Sequence, residues 1–254
     1  MLVAERYAAI TRLVNDRGSI RVSELSSLCQ VTEETIRRDL DRLEKEGKLR
    51  RSHGGAVRIK HIDEHIETPY SEREVTRMGE KQRIALEALK FIEPHERILL
   101  DASTTAWYTA RSLPNIPLTV LTNSIRVVTE LSSKKHIEVI AAGGQLLPES
   151  MSFVGPLAER SLETYHVDKL FLSCQGVHLE RGISEMNELQ ARVKQRMIGM
   201  SDQVFLLADS SKFGVQALTH VSGLDRVQQI ITSHDLPEEI SRTLVERSIH
   251  VTLV

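Results

Sequence analysis

Two short helices around a three-residue link constrain the front of this chain more than any other feature. Val22-Ser23-Glu24-Leu25-Ser26-Ser27-Leu28 reads as the first helix, Cys29-Gln30-Val31 as the link, and the stretch from Thr32 as the second helix. Thr32 suits the N-cap, where its hydroxyl accepts from a free backbone N–H. Thr32 and Thr35 stand at capping-box spacing, with Thr in place of the usual Glu or Gln. Ile36, Leu40 and Leu43 recur as one apolar stripe, which puts Glu34, Arg38, Arg42 and Lys45 on the opposite face and Thr35 and Arg37 on its shoulders. Gly47 is placed to end the helix. Leu49-Arg50-Arg51 and Ala56-Val57-Arg58-Ile59 then read as two short strands, with His53-Gly54-Gly55 as the turn.

Taken alone, the second helix is a solvated amphipathic helix of mixed charge. The helix and tight link before it make a helix-turn-helix, whose second helix enters the DNA major groove with its N-terminal residues at base edges. The expected contacts are Thr32, Glu34, Thr35, Arg37, Arg38 and Arg42 on that helix, with Arg50, Arg51, His53 and Gly54 on the hairpin. Arg38 is central to the outer face and is the choice for base readout. Arg37 is placed to hold a phosphate, and the hairpin to meet backbone or minor groove. A first helix from Glu5 to Asp16 carries Tyr7, Ile10, Leu13 and Val14 on one face and stops at Gly18. Ser19-Ile20-Arg21 is extended and able to pair with the hairpin. These pieces predict a winged three-helix domain over 1–60, with a core of Ile10, Leu13, Val14, Leu25, Leu28, Ile36, Leu40, Leu43 and Leu49.

Charge distribution agrees with that division. Residues 1–60 hold 13 Lys and Arg against 9 Asp and Glu, and the remainder holds 20 against 26. A basic front on an acidic body is expected when only the front meets phosphates. No run approaches the eighteen or so apolar residues of a membrane helix, and Glu5 and Arg6 interrupt any signal-peptide pattern in MLVAERYAAI. Cys29 and Cys174 stand alone, without metal-site or disulfide spacing, and read as small core residues. The expected compartment is the cytoplasm, with no membrane partner.

The segment 61–71, containing HIDEHIETPY, has no clear period and reads as a linker. Ser71 caps a helix predicted over Glu72–Phe91, stopped by Glu93-Pro94. Apolar runs then alternate with helices through 72–254. The strands are 98–100, 118–121, 137–141, 170–172, 204–207, 227–231 and 249–254, and the helices 104–113, 124–131, 156–165, 188–200 and 237–247. This is an α/β domain with a mainly parallel sheet. Ligands in such sheets bind beyond the carboxyl ends of the strands. Five of those ends are small and polar: Asp101-Ala102-Ser103-Thr104-Thr105, Thr122-Asn123-Ser124, Ala142-Gly143-Gly144, Ser173-Cys174-Gln175-Gly176 and Asp209-Ser210-Ser211-Lys212-Phe213-Gly214. Any one of them reads as a helix cap or turn. Five at one edge read as a phosphate site, with Lys212 supplying a point charge.

The stretch TIRRDLDRLEKEGKLRRSHGGA resembles the N-terminal domain of the DeoR family of bacterial sugar-metabolism regulators, through Thr35 to Leu40, Leu43-Glu44, Gly47, Arg51 and His53 to Ala56. The remainder resembles that family's sensor domain. The match runs through Asp101 with Thr104-Thr105, Thr122-Asn123-Ser124, Gly143-Gly144, Gly155, Gly176, Lys194 and Asp209 to Gly214. Arg73 and Lys81 match positions usual ahead of that domain. The resemblance implies a fold similar to ribose-5-phosphate isomerase and a phosphorylated sugar as effector, with no cofactor, metal or catalytic residue. Ser103 departs from the family's frequent Gly; its side chain either narrows the room for backbone to approach phosphate or donates its own hydroxyl to it. The implied function is a homo-oligomeric repressor, dimer or tetramer, of a carbohydrate-catabolic operon, released from operator DNA by the sugar phosphate; an activator of the same architecture is the alternative. An isomerase needs a positioned base. Asp101, Glu185, Glu188 and Lys194 are the polar candidates, and nothing in the sequence marks one as a base. A DNA-architectural protein without ligand is disfavoured by the polar strand ends.

Overall fold

A computed structural model of the chain describes residues 3–45, 48–52, 54–57 and 67–254. Its contacts divide the chain into two compact units, Met1–Glu64 and His65–Val254. The boundary falls inside the segment read above as a linker.

The first unit contains α1 (Val3–Arg17), β1 (Ser19–Arg21), α2 (Val22–Cys29), α3 (Glu33–Lys45), β2 (Arg50–Ser52) and β3 (Gly55–Val57). Thr32 caps α3, its Oγ1 accepting from the Thr35 N–H at 3.3 Å and lying 2.9 Å from the Thr35 hydroxyl. The strands form an antiparallel sheet in the order β1-β3-β2, with Ile20 opposite Ala56. Gly55 is required there, because a Cβ would stand 2.2 Å from the Ile20 carbonyl oxygen. Gly47, expected to stop α3, and Arg58-Ile59, expected to continue β3, lie outside the described residues.

The α3 stripe is buried as the periodicity requires, against Ile10, Val14, Ile20, Val22, Leu25, Cys29, Leu49 and Ala56. Leu28 departs from expectation and is half exposed. On α2 the inward positions are Val22, Leu25 and Cys29, so Cys29 takes the place given to Leu28. Leu13 packs on the core only in part. One charged pair is also inside. Arg6 on α1 donates Nε and Nη2 to the two Asp39 oxygens on α3, at 2.6 and 3.2 Å. A bidentate pair of this kind fixes direction as well as distance, so it sets which face α3 turns outward.

The second unit begins with α4 (Tyr70–Val75) and α5 (Met78–Ala88), followed by one 3₁₀ turn to Phe91. The continuous helix expected over Glu72–Phe91 is therefore broken. Thr76 is extended, and Arg77 sits in the left-handed region at φ 51°. That conformation is uncommon for a residue with a Cβ; here it brings the Arg77 guanidinium to Glu80, Asp209 and Asp235 at 2.9, 3.8 and 3.8 Å.

The remaining elements are β4 (Arg97–Leu100), α6 (Thr104–Ser112), β5 (Leu118–Thr122), α7 (Ile125–Leu131), β6 (Ile137–Ala141), β7 (Gln145–Leu147), β8 (Ser152–Val154), α8 (Pro156–Leu162), β9 (Val167–Leu172), β10 (Gly176–His178), β11 (Gly182–Glu185), α9 (Glu188–Gly199), β12 (Ser201–Leu207), β13 (Thr219–Ser222), β14 (Gln229–Thr232), α10 (Glu238–Glu246) and β15 (His250–Leu253). Seven strands make a parallel sheet in the order β15-β14-β12-β9-β4-β5-β6. Successive side chains face opposite layers. Ile98 and Leu100 pack with α5, α6 and α7, while Leu99 packs with α8, α9 and α10. Both cysteines are buried and free, and burial pushes the Cys174 thiol up to about 12.

This winding positions the site. From β4 the chain proceeds through β5 and β6 to one edge, then returns to β9 and runs through β12, β14 and β15 to the other. The connections after β4 and β9 diverge, and in a parallel sheet such a switch point is where the binding crevice lies, between the carboxyl ends of the two strands. Around it lie an antiparallel β10-β11-β13 sheet and a β7-β8 hairpin, neither of which the sequence patterning predicts.

Candidate functional site

The DNA-facing candidates form a coherent surface on the first unit. With Ile36, Leu40 and Leu43 inside and Asp39 held by Arg6, the outer face of α3 carries Glu34, Arg38 and Arg42. The Arg38 side chain is 79% exposed and lies 3.4 Å from Glu34; Arg37 pairs with Glu33 at 2.9 Å. Such exposed i,i+4 pairs contribute only about 0.3–0.5 kcal/mol, so a phosphate or base edge displaces them easily. Arg42 lies over the Tyr7 ring at 5.9 Å. Thr32 is exposed at the N-terminus of α3, and Gly54 at the hairpin turn has φ +85°. Arg51 behaves differently from expectation. Its backbone N–H donates to Glu44 at 2.7 Å, and its guanidinium turns back onto α3, donating to the Arg37 carbonyl at 3.0 Å and pairing with Asp41 at 3.1 Å. It clamps the wing to the helix. The Arg50 side chain and His53 lie outside what is described.

In the second unit, the crevice holds a buried ionic cluster. Asp101, at the end of β4, is fully buried; its Oδ1 accepts from Ser103 N–H and its Oδ2 from Ser173 N–H, each at 3.0 Å. Lys194 of α9 reaches Asp101 at 3.0 Å, Glu185 at 2.5 Å and the Ser173 carbonyl at 2.6 Å. Burial opposes its charge, but Asp101 and Glu185 outweigh that and raise its pKa. An ammonium has three donors; two go to Glu185 and the Ser173 carbonyl, and the charge is paired with Asp101 as well. Lys194 therefore holds the crevice together rather than offering a hydrogen bond to a ligand. Glu188 is exposed at the start of α9, away from this cluster's contacts.

The small polar strand ends mostly serve as caps. Ser103 Oγ accepts from Ala106 N–H at 3.0 Å, Thr122 Oγ1 from Ser124 N–H at 3.0 Å, and Ser124 Oγ from Val127 N–H at 3.2 Å. Ser103 thus uses its hydroxyl to start α6, whose first turn, Thr104-Thr105, is buried at the crevice. Asn123 donates to the Phe153 carbonyl at 3.0 Å, and its Oδ1 is buried without a partner among the described residues. Gly144 and Gly176 answer to packing: a Cβ would meet the Val154 carbonyl at 2.7 Å and the Val215 carbonyl at 2.4 Å. Gly143 is exposed.

The cations come largely from the segment ahead of β4, where Arg73 and Lys81 stand out in the sequence only through the family resemblance. Arg73, Arg77 and Lys81 stand four residues apart, a spacing that would place them on one helical face. Asp209 and Lys212, at the end of β12, meet them. Lys81 donates to the Arg73 carbonyl and is buried. Burial pushes its ammonium down to about 8; Asp209 opposes this, and the neighbouring charges of Lys212 and Arg73 add to it. Lys212 donates to the Gln175 side-chain oxygen at 3.3 Å. Arg73 has Nε and Nη2 buried without a hydrogen-bond partner among the described residues, although Glu67 Oε1 lies 2.9 Å from Nη2. Crowded, incompletely paired cations are a site suited to an anion.

The Lys81 shift carries a pH signature. A bound phosphate dianion favours the ammonium, so anion affinity is expected to fall above pH 8, by up to about tenfold per pH unit. Without anion the sign reverses: between about 8 and the ordinary 10.5 the folded state holds fewer protons than the unfolded one, so this group makes stability rise with pH. Calorimetric titrations of inorganic phosphate at pH 7, 8 and 9 test the first effect; a flat profile would place Lys81 away from the anion.

A winged helix-turn-helix unit followed by a parallel α/β unit with a charged strand-end site defines a DNA-binding regulator with a sensor. Comparison with known proteins agrees. The DeoR-like helix-turn-helix domain matches residues 6–61, and the DeoR C terminal sensor domain matches residues 76–234. The chain belongs to the DeoR family of transcriptional regulators. It is 55% identical to the HTH-type transcriptional regulator YulB of Bacillus subtilis (strain 168), covering 100% of this chain and 98% of that one. It is 36% identical to the L-fucose operon activator of Haemophilus influenzae, over 98% and 99% of the two chains. It is 34% identical to the HTH-type transcriptional repressor GlcR of Bacillus subtilis, over 98% and 95%. The relatives are regulators, activators and repressors both, not enzymes. Similar solved structures include ribose 5-phosphate isomerase A of Methanocaldococcus jannaschii, at 17% identity and TM-score 0.39 over 52% of this chain and 53% of that one. Among the described residues, no helix is long and apolar enough to cross a membrane, and no cluster of His, Cys, Asp and Glu is arranged to hold a metal.

Proposed function

We propose that this protein is a cytoplasmic, homo-oligomeric repressor of a carbohydrate-catabolic operon, and that a phosphorylated sugar, without any cofactor, lowers its operator affinity. The observation that carries the effector class is Arg73, half-buried, whose Nε and Nη2 are buried without a hydrogen-bond partner among the described residues, beside Lys81 and Lys212. A phosphate monoester presents several acceptor oxygens and close to two charges, which suits the idle Arg73 donors beside Lys81 and Lys212. The sugar occupies the crevice between β4 and β9. The effector shifts operator affinity only through its different affinity for the two states of the regulator.

The test is thermal unfolding with a panel of sugar phosphates, alongside operator titration. A ligand at a hundredfold its dissociation constant stabilises by about 2.7 kcal/mol. Lys212→Ala is expected to lose most of that stabilisation and the release from operator, while binding operator like the parent without effector. An unchanged response to every stabilising sugar phosphate in Lys212→Ala would place the effector elsewhere. The same architecture in an activator is supported by the L-fucose operon activator among the relatives. Transcription from the operator in vitro decides the sign: added protein lowers it for a repressor and raises it for an activator.

A further inference from the structure

We propose that the carboxylate of Glu67 is a built-in competitor for the sensor's anion site: it sits on Arg73 until a phosphate replaces it. This rests on the effector reading above and concerns how that same site is regulated. Glu67 is 8% exposed, unusual for a carboxylate in an irregular segment. Its Oε1 lies 2.9 Å from Arg73 Nη2, yet Oε2, Arg73 Nε and Arg73 Nη2 are all buried without a hydrogen bond among the described residues. The pair is close but poorly directed. A guanidinium and an acid well matched to it make two parallel hydrogen bonds; this one leaves donors and an acceptor idle.

The surroundings place this carboxylate at the strand-end site. Burial raises the Glu67 pKa, Arg73 and Lys194 oppose that, and Glu185 and Glu149 add to it. Glu67 is thus an acid among acids, kept there mainly by one arginine. A phosphate offering two oxygens to Nε and Nη2 would satisfy both donors, while the released carboxylate recovers its hydration. The exchange removes a strained burial and completes a half-made contact.

Arg73 also begins a cation–aromatic stack. It lies over Tyr70 at 5.8 Å; Arg126 lies over Tyr70 at 5.5 Å and over Trp107 at 5.0 Å; Arg111 lies over Trp107 at 5.5 Å. Trp107 is the only tryptophan of the chain and belongs to α6, so its fluorescence reports on this end of the crevice.

If the Glu67 pair is made nine times in ten, the apparent anion affinity is about tenfold below that of an open site. The experiment titrates inorganic phosphate into the full chain, followed by Trp107 fluorescence and by calorimetry, for the parent, Glu67→Gln, Glu67→Ala and Arg73→Met. Glu67→Gln and Glu67→Ala are expected to lower the phosphate Kd about tenfold, and Arg73→Met to abolish binding whether or not Glu67 is also replaced. Parental or weaker phosphate binding in both Glu67 variants overturns the competitor and leaves the effector site standing. Absence of phosphate binding in the parent and both Glu67 variants, with no sugar phosphate stabilising any of them, overturns the effector reading and the competitor with it. Binding by the Glu67 variants but not by the parent supports both.

Discussion

Lys194→Met is expected to lower the unfolding free energy of the sensor unit by about 3–5 kcal/mol, the cost of removing one partner from a buried ion cluster. The ammonium stands against Asp101, Glu185 and the Ser173 carbonyl, and all these groups are at least nine-tenths buried. Without it, two carboxylates remain in a low-dielectric crevice. Asp101 keeps its two backbone donors, Ser103 and Ser173, but Glu185 loses Lys194, the partner of its Oε1 among the described residues. Met preserves the stem's packing, so the loss reflects charge rather than a cavity. A second replacement, Lys194→Met with Glu185→Leu, should recover part of the loss, because only the better-satisfied acid is left. Urea unfolding followed by circular dichroism measures both. A loss below about 1 kcal/mol for the single variant would mean that water reaches the cluster and that its ionic contacts do not hold the crevice. No recovery in the double variant would mean that Glu185 is satisfied by other groups.

The outline of this fold is legible in the sequence because its main signals are local. The stripe Ile36, Leu40, Leu43 and the apolar runs of β4, β5, β6, β9, β12, β14 and β15 depend on neighbours along the chain. The parts that escaped depend on partners far away. Asp39 sits beside the α3 stripe as an ordinary charged residue until Arg6, on another helix, is placed against it. The strands Gly176–His178, Gly182–Glu185 and Thr219–Ser222 contain no continuous apolar run; they form by pairing with one another. The break at Thr76-Arg77 has only Gly79, just beyond it, as a local signal, and it lets Arg77 face acids at the ends of β12 and β14. At the sensor site, the strand-end hydroxyls were visible but turned out to cap helices, whereas Arg73 and Lys81 were noticed through family resemblance alone. Their i,i+8 spacing, with Arg77 between, was the available signal. Glu67 had none, since nothing local distinguishes a buried linker acid from a solvated one.

On the DNA-binding surface, Arg38→Ala and Arg51→Ala are expected to weaken binding in different ways. Arg38 projects from the middle of the outer face of α3, and among the described residues an exposed pair with Glu34 is what restrains it. In a helix seated in the major groove, this position reaches base edges, and a bidentate arginine–guanine contact discriminates by roughly 1–3 kcal/mol. Arg38→Ala should therefore flatten preference at one operator position, with a smaller loss on scrambled DNA. Arg51 is committed elsewhere, to the Arg37 carbonyl and Asp41. Arg51→Ala should loosen the wing from α3 and weaken operator and scrambled DNA by similar factors. Its salt dependence should stay parental, because no phosphate contact is lost. Titrations of both variants against both DNAs at several salt concentrations separate the roles. Equal weakening of the two DNAs by Arg38→Ala would reassign it to a phosphate. A salt slope lowered by about one unit in Arg51→Ala would show that its guanidinium leaves α3 to hold the backbone in the complex. Parental affinity in both variants would mean that α3 is not the helix that enters the groove.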